Sequence, residues 1–501
     1  MAASAPLLIG EIFRRNAQVV PGRVAASLGG AALTHAALDA AANRIAWALC
    51  ELGVEAGDRV LGWTDTSLEV LPLFAGLAKR GAVFAPLDAR LGPDEAAPLA
   101  RLARPRLLVA DAAHREPAAL VAGTLGVRCV SLGGLARDAE PDALLRADRR
   151  SDDFVAAGLR ESDPHVIFFT SGSTGRPKGV VLSHRANYLR SFHGVFRDQP
   201  ERSVCMFPLF HMAAFTLALS AWQTRGEIAL VASATADEIL EAVARRRATR
   251  LYCIPSIWHR ILAIDTDRWD TSSLRELDTG TSAVPLELIR ALKQRFPGTL
   301  TRIYYGSTEA GSAATLADRD VLRKPGSVGP PSPGVELALG EGGEICVRSA
   351  YLMDGYFDDP EASARALRDG WFHTGDRGEL DDEGYLAIVG RLRDVIRSGG
   401  ESVEPGEVEA ALARHPAVAE VAVVGAPDPQ WGEIVCAVVV PVAGSAPTLA
   451  DMQKCCEGRL AGFKKPRRLE LVDALPRTPA TGQVQRALLA QRLAARPGGA
   501  G

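Results

Sequence analysis

Phe168-Phe169-Thr170-Ser171-Gly172-Ser173-Thr174-Gly175-Arg176-Pro177-Lys178-Gly179 follows an apolar run that starts at Val166 and reads as a buried strand. The ten residues from Thr170 to Gly179 hold three Gly, four hydroxyls, one Pro and one Lys. Glycine lets a backbone turn tightly and approach an anion. Backbone N–H groups, hydroxyls and an ammonium are the donors that a polyphosphate needs. The segment therefore reads as a triphosphate-holding loop. It is not a Walker A loop, because no G-x-x-x-x-G-K-[ST] spacing fits. A flexible Gly/Ser surface turn is the plain alternative, but such turns rarely end in Pro-Lys-Gly with strands on both sides, and Val180 to Leu182 follows as a second strand.

The segment resembles the signature loop of the adenylate-forming superfamily: acyl-CoA synthetases, aryl-CoA ligases, peptide adenylation domains and firefly-type luciferases. The resemblance implies that Thr170, Ser171, Gly172, Ser173, Thr174, Gly175 and Lys178 hold the phosphates of ATP.

Composition sets the frame for the rest. A chain of 501 residues exceeds one ordinary core and predicts several folding units. With 47% apolar and 23% charged residues it is an ordinary globular composition. A net charge of -3 gives no electrostatic case for nucleic acid or a membrane surface. Eight cysteines without a C-x-x-C pair argue against structural zinc and for a reducing, cytoplasmic setting. No apolar run reaches the roughly 18 residues of a membrane span, and Met1 to Arg15 lacks the pattern of a signal peptide.

Residues 1–160 alternate helical and strand patterns, which predicts a mostly parallel sheet. Leu38 to Leu52 is apolar at three- and four-residue steps and reads as an amphipathic helix. Arg59 to Trp63, Val83 to Pro86, Leu107 to Ala110 and Arg128 to Ser131 read as strands, with a helix over Leu68 to Arg80. No G-x-G-x-x-G and no other chemical motif occurs there, so this part is scaffold.

In Met206-Phe207-Pro208-Leu209-Phe210-His211-Met212-Ala213-Ala214-Phe215 a lone His stands beside aromatics. A core histidine is one reading. The family resemblance implies the other: His211 at the reacting carboxylate, Ala213 and Ala214 leaving volume, Phe215 bounding an apolar acyl pocket. Gly280-Thr281-Ser282 resembles the element that lies against adenine, with Thr281 and Ser282 in place of smaller residues. Ser282 and Ser307 also stand as substrate contacts.

Tyr304-Tyr305-Gly306-Ser307-Thr308-Glu309 delivers aromatics, a Gly, hydroxyls and a carboxylate at the end of a strand. An aromatic can stack on a purine, and Thr308 can donate to the α-phosphate. Glu309 is an oxygen ligand suited to Mg²⁺. A capped helix N-terminus is the competing explanation. From Gly343 to Asp394 the match to the family is close: Asp376 is the candidate for ribose, against a turn role in Asp376-Arg377-Gly378, and Arg391 resembles the arginine that reaches ribose and phosphate.

The boundary falls at Leu392–Asp394, giving an ATP- and acyl-binding domain over 1–392 and a small lid over 393–501. Arg393 occupies the family's hinge position. The lid, roughly 110 residues, reads as α+β and of ordinary domain size. Gly399 and Gly400 would let a pantetheine arm pass close to backbone. Trp431 resembles the tryptophan near coenzyme A in aryl-CoA ligases. Phe463-Lys464-Lys465-Pro466-Arg467-Arg468 is either a solvated charged turn or a landing site for coenzyme A phosphates, with Phe463, Lys465 and Arg467 as its contacts.

One position departs from the family. Where the pattern is Pro-Arg-Thr-x-x-Gly-Lys, this chain reads Pro476-Arg477-Thr478-Pro479-Ala480-Thr481-Gly482-Gln483. The resemblance makes position 483 the adenylation contact, and a neutral Gln cannot supply charge there. Removing one such donor costs about 3–4 kcal/mol, on the order of 10²–10³ in rate. Three explanations stay open: an introduced change, a natural one with slow adenylation and intact thioester formation, or loss of the first step.

The expectation is thus a large N-terminal multi-sheet α/β domain and a mobile α+β lid, with the site in the cleft between them. The expected reaction joins a fatty or aryl acid to coenzyme A through acyl-AMP, with ATP and Mg²⁺. A carrier-protein thiol or an amine is the alternative acceptor, and a non-enzymatic adenylate binder the alternative class. Neither G-x-S-x-G nor H-E-x-x-H is present to support a hydrolase or a zinc enzyme.

Overall fold

The computed structural model describes residues 6–133, 143–146, 149–170, 177–192, 199–398, 401–428, 431–457, 459–478 and 482–495. The chain divides into two compact units: Met1–Pro325, Pro331–Glu336 and Arg348–Phe372 form one, and Gly326–Pro330, Leu337–Val347 and His373–Gly501 form the other. Helices and mixed sheets alternate in the first unit, and the second is the smaller.

Two sheets build the first unit. In one, Leu107–Ala110, Arg59–Trp63 and Val83–Leu87 run parallel side by side, and Val83–Leu87 pairs with Pro164–Thr170. These strands are buried on both faces, which is why their sequences are unbroken apolar runs rather than alternating ones. Pro164–Thr170 then pairs antiparallel with Lys178–Ser183, placing Thr170 opposite Lys178. Gly355–Tyr356 closes that edge, with Tyr356 opposite Val180.

In the other sheet, Arg202–Cys205, Arg250–Tyr252, Glu276–Gly280 and Leu300–Ser307 are neighbouring parallel strands, and Gly311–Leu316 turns back antiparallel beside the last. Their carboxyl ends lie side by side, the place where open α/β sheets receive ligands.

Helices fill the space around these sheets for readable reasons. His35–Glu51 starts at Thr34, whose hydroxyl accepts from the Ala37 N–H at 3.1 Å, and it buries Leu38, Ala41, Ala42, Ile45 and Leu49. Val70–Arg80 stops at Gly81, whose φ of +77° an L side chain adopts only under strain. Phe74 on this helix stacks on Phe215 of Met212–Gln223 at 4.3 Å, with Phe84 and Phe168 at the edges of the same cluster. This aromatic core joins strand and helix layers.

In the second unit, Leu386–Arg391 pairs antiparallel with Trp371–Leu380, and Ser327–Gly329 lies on its other side. A further sheet centres on the long hairpin Val418–Asp428 and Gly432–Pro441, covered on one face by Pro405–Leu412 and Leu449–Cys455 and on the other by Arg486–Ala494. Among the described residues no helix is long and apolar enough to cross a membrane.

Candidate active site

The turn between Leu300–Ser307 and Gly311–Leu316 carries Thr308 and Glu309. It is a hairpin turn and not a helix N-terminus, so the competing explanation for Glu309 falls away. Ser307 Oγ accepts from the Ala310 N–H at 3.1 Å and tightens the turn. Gly306 is required here: a Cβ would lie 2.0 Å from the Gly311 carbonyl oxygen. From below, the buried guanidinium of Arg190 donates to the carbonyls of Thr308 at 3.0 Å and Tyr351 at 2.6 Å. Burial lowers this guanidinium to about 10, still charged at neutral pH.

Lys178 and Glu309 meet on a third residue. The Lys178 ammonium sits 4.3 Å from the centre of the Tyr356 ring, and the Tyr356 hydroxyl donates to Glu309 Oε1 at 3.1 Å. Burial and the Glu309 carboxylate push the phenol well above its usual pKa, so it stays a donor. Among the described residues neither Lys178 nor Glu309 is consumed by an ion pair. Ser171, Gly172, Ser173, Thr174 and Gly175, the centre of the predicted phosphate loop, lie outside the described residues, as do Gly399 and Gly400.

The carboxyl ends of the parallel strands carry a row of rings. His211 stacks on Phe207 at 5.7 Å, Phe207 approaches Tyr252 at 5.3 Å, and Tyr252 approaches Tyr304 at 6.0 Å. His211 caps Met212–Gln223, its Nδ1 accepting from the Ala213 N–H at 3.2 Å. Burial, with Arg90 adding repulsion, lowers its pKa to about 4, so the ring is neutral at physiological pH. Gly280 lies opposite Tyr304, and a Cβ there would strike the Tyr304 carbonyl oxygen at 2.2 Å. Thr281 holds a φ of +68°, a strained conformation for a β-branched residue. Ser282 is exposed, and Tyr305 and Ser307 are half-buried.

Beneath these strand ends lies a buried charge cluster. Asp278, 0% exposed, accepts from Arg250 and from Arg302, and Arg250 also reaches Glu201 at 3.2 Å. Burial alone would raise Asp278; Arg250 and Arg302 hold it below the usual carboxylate range. Burial likewise lifts the Tyr304 phenol, to about 12.

In the second unit Arg391 and Asp376 pair at 2.9 Å across neighbouring strands. Asp376 is a strand residue rather than a turn residue. The bend before it is fastened by Glu344, one oxygen accepting from the Gly375 N–H at 3.0 Å and the other 2.8 Å from His373 Nδ1.

Two family models cover the chain: "AMP-binding enzyme" over residues 13–357 and "AMP-binding enzyme C-terminal domain" over residues 407–481. The chain belongs to the AMP-binding enzyme family. It is similar to a feruloyl-CoA synthase of Amycolatopsis sp, 38% identical over 93% of this chain and 95% of that protein. Among solved structures it is similar to ATP-bound MatB from Rhodopseudomonas palustris, with a TM-score of 0.87, 30% identity, and 97% and 99% of the two chains covered. An amide bond synthetase from Marinactinospora thermotolerans has a TM-score of 0.85 at 29% identity, covering 96% and 99%. The chain is thus an enzyme of this family, with a CoA-ligase relative aligned over nearly its whole length.

Within the family frame, several expected contacts gather and others do not. Lys178, Thr308 and Glu309 come together, as do His211, Gly280, Thr281 and Tyr304 at one sheet edge. Of the expected acyl-pocket residues, Ala214 is 0% and Phe215 2% exposed, with Phe215 in the aromatic core, while His211, Met212 and Ala213 are half-buried. Arg467 lies over the Trp431 ring at 4.2 Å, a pairing of two predicted coenzyme A contacts. Phe463 instead packs against the apolar core of its own unit, and Lys465 has Glu457 at 3.6 Å. The Arg393 side chain lies outside the described residues.

Gln483 is exposed; its N–H donates to Thr478 Oγ1 at 3.1 Å and its carbonyl accepts from the Thr478 N–H at 2.7 Å. Arg486 is held by both oxygens of Glu409 at 2.7 Å, so it is committed elsewhere.

Sequence reasoning missed Arg190, Tyr356, Phe207, Tyr252 and Glu344. Arg190 gave no signal, because its partners lie 118 and 161 positions away. Tyr356 lies 47 positions from Glu309, too far for a local pattern to show the pair.

Proposed function

We propose that this chain activates a fatty or aryl carboxylic acid with ATP and transfers the acyl group to coenzyme A. In the first step a carboxylate oxygen attacks the α-phosphorus, the bond to the β-phosphate bridge breaks, and pyrophosphate leaves. In the second the thiol adds to the acyl carbon, AMP departs, and the thiol proton passes to solvent.

The observation that carries this reading is the convergence of the Lys178 ammonium and the Glu309 carboxylate on the Tyr356 ring. A cation and an anion held on one tyrosine, neither in an ion pair among the described residues, suit a metal–polyphosphate. Lys178 takes phosphate oxygens, and Thr308 donates to the α-phosphate. Glu309 fits Mg²⁺, a hard cation that takes one or two carboxylates, keeps several waters and neutralises phosphate charge. Neutral His211 orients the acid through a hydrogen bond without adding charge. Asp376 and Arg391 offer ribose an acceptor and a donor. Trp431 with Arg467 offers coenzyme A a flat, cationic surface.

The test is pyrophosphate release with a panel of fatty, aryl and short dicarboxylic acids, followed by detection of free acyl-CoA without carrier protein. Acid-dependent pyrophosphate together with acyl-CoA supports the reading. Silence across the panel in both assays overturns it.

A second reading keeps the first step and changes the acceptor to an amine. It is favoured by the likeness to an amide bond synthetase. Pyrophosphate release with amide product and no acyl-CoA would select it.

A further inference from the structure

Tyr356 is the residue through which the two charged groups of the candidate site are connected, and no motif assigned it a role. Its backbone is held from three sides. Gly355–Tyr356 pairs with Lys178–Ser183, and the next N–H, of Phe357, donates to the Gly179 carbonyl at 2.7 Å. The Tyr356 N–H donates to Ser363 Oγ at 2.8 Å. Three residues upstream, the Met353 N–H donates to the Glu309 carbonyl at 2.8 Å. The segment is thus stitched to the strand that starts at Lys178 and to the turn that carries Glu309. Its side chain repeats the link: the ring face meets the Lys178 ammonium at 4.3 Å, and the hydroxyl holds one oxygen of Glu309 at 3.1 Å.

These roles are chemically separable. The ring face offers Lys178 a cation–π seat that fixes the ammonium without neutralising it, as a carboxylate partner would. The hydroxyl fixes the rotation of the Glu309 carboxylate and leaves its other oxygen without a protein partner among the described residues. A site built this way has its cation and anion oriented before a ligand arrives, so less ordering is left to be done on binding.

We propose that Tyr356 is the positioning residue of the nucleotide site, its hydroxyl setting Glu309 for Mg²⁺ and its ring setting Lys178 for phosphate. The proposal rests on the ATP-binding reading given above. Its test is calorimetric titration of ATP into the full chain, in Mg²⁺ and in EDTA, for the wild type, Tyr356→Phe and Tyr356→Leu.

Tyr356→Phe keeps the ring and removes the hydroxyl. It is expected to bind ATP normally in EDTA while losing about tenfold of the affinity that Mg²⁺ adds, the scale of a hydrogen bond to a charged group. Tyr356→Leu is expected to lose several-fold in EDTA as well. Wild-type affinity and metal response in Tyr356→Phe would overturn the hydroxyl's role, and a wild-type EDTA affinity in Tyr356→Leu would overturn the ring's. A merely structural tyrosine would weaken binding equally in both media, which also counts against the proposal. Should Tyr356→Leu not fold, the near-isosteric Tyr356→Phe decides alone. Absence of ATP binding by the wild type would fault the nucleotide reading itself, a result distinguishable from every variant outcome.

Discussion

Asp376 and Arg391 are direct partners in antiparallel register, and their side chains meet at 2.9 Å. The pair is partly open to solvent, so it contributes little to stability, and the proposed function gives it the vicinal hydroxyls of ribose. Asp376→Ala is expected to raise the KM for ATP about tenfold or more, the effect of losing a charged acceptor, with Tm nearly unchanged. Steady-state kinetics at saturating acid, with a thermal melt beside them, checks both halves.

Arg190 supports the Thr308–Glu309 turn from the interior. Replacing it with Met leaves two buried carbonyls with one donor fewer each. We expect a loss of about 3 kcal/mol in urea unfolding and a fall in adenylation rate. Arg190→Lys should not restore either property, because a point ammonium cannot span the two carbonyls as a planar fork does.

His114 makes a pH-dependent contribution. Its Nδ1 lies 2.7 Å from Asp111 Oδ1 and its Nε2 lies 2.8 Å from the Ala89 carbonyl oxygen. Both partners are acceptors, so both ring nitrogens must carry protons. Burial opposes the charge, but the Asp111 carboxylate and the carbonyl outweigh it and raise the pKa. A raised folded pKa stabilises fully below the unfolded value of about 6.5 and is lost as pH rises through the folded value. The stability gap between wild type and His114→Gln should therefore be largest near pH 6 and narrow at alkaline pH, measured by urea titration across about pH 6–9.

Gln483→Lys restores the charge that the family pattern places after Gly482. Single-turnover formation of acyl-AMP should accelerate by about 10²–10³, while the thioester-forming half, started from acyl-AMP, stays as it was. No gain in the first half would remove position 483 from the adenylation step. Arg486 cannot substitute in the present chain, since Glu409 already holds it.

What could be read in advance follows a physical divide. Strands such as Arg59–Trp63 and Leu107–Ala110 lie where their apolar runs fall, because burial on both faces writes itself into consecutive residues. The strand end that delivers Tyr304 to Ser307, just before Thr308 and Glu309, is equally local. The charge cluster of Glu201, Arg250, Asp278 and Arg302 was not legible: it depends on parallel neighbours brought together across a hundred positions. The ring contacts of Phe215 were hidden for a related reason. Its neighbours Phe74, Phe84 and Phe168 come from distant elements, and only their arrival shows which side of the helix is interior.

That placement has a bearing on engineering. Anyone enlarging the enzyme's acid repertoire would be drawn to trim position 215, the ring four positions past His211. The ring there is mortar between layers, and shaving it would loosen the building before it widened any doorway. Room for new substrates is better sought at 212 and 213, where the helix still looks outward.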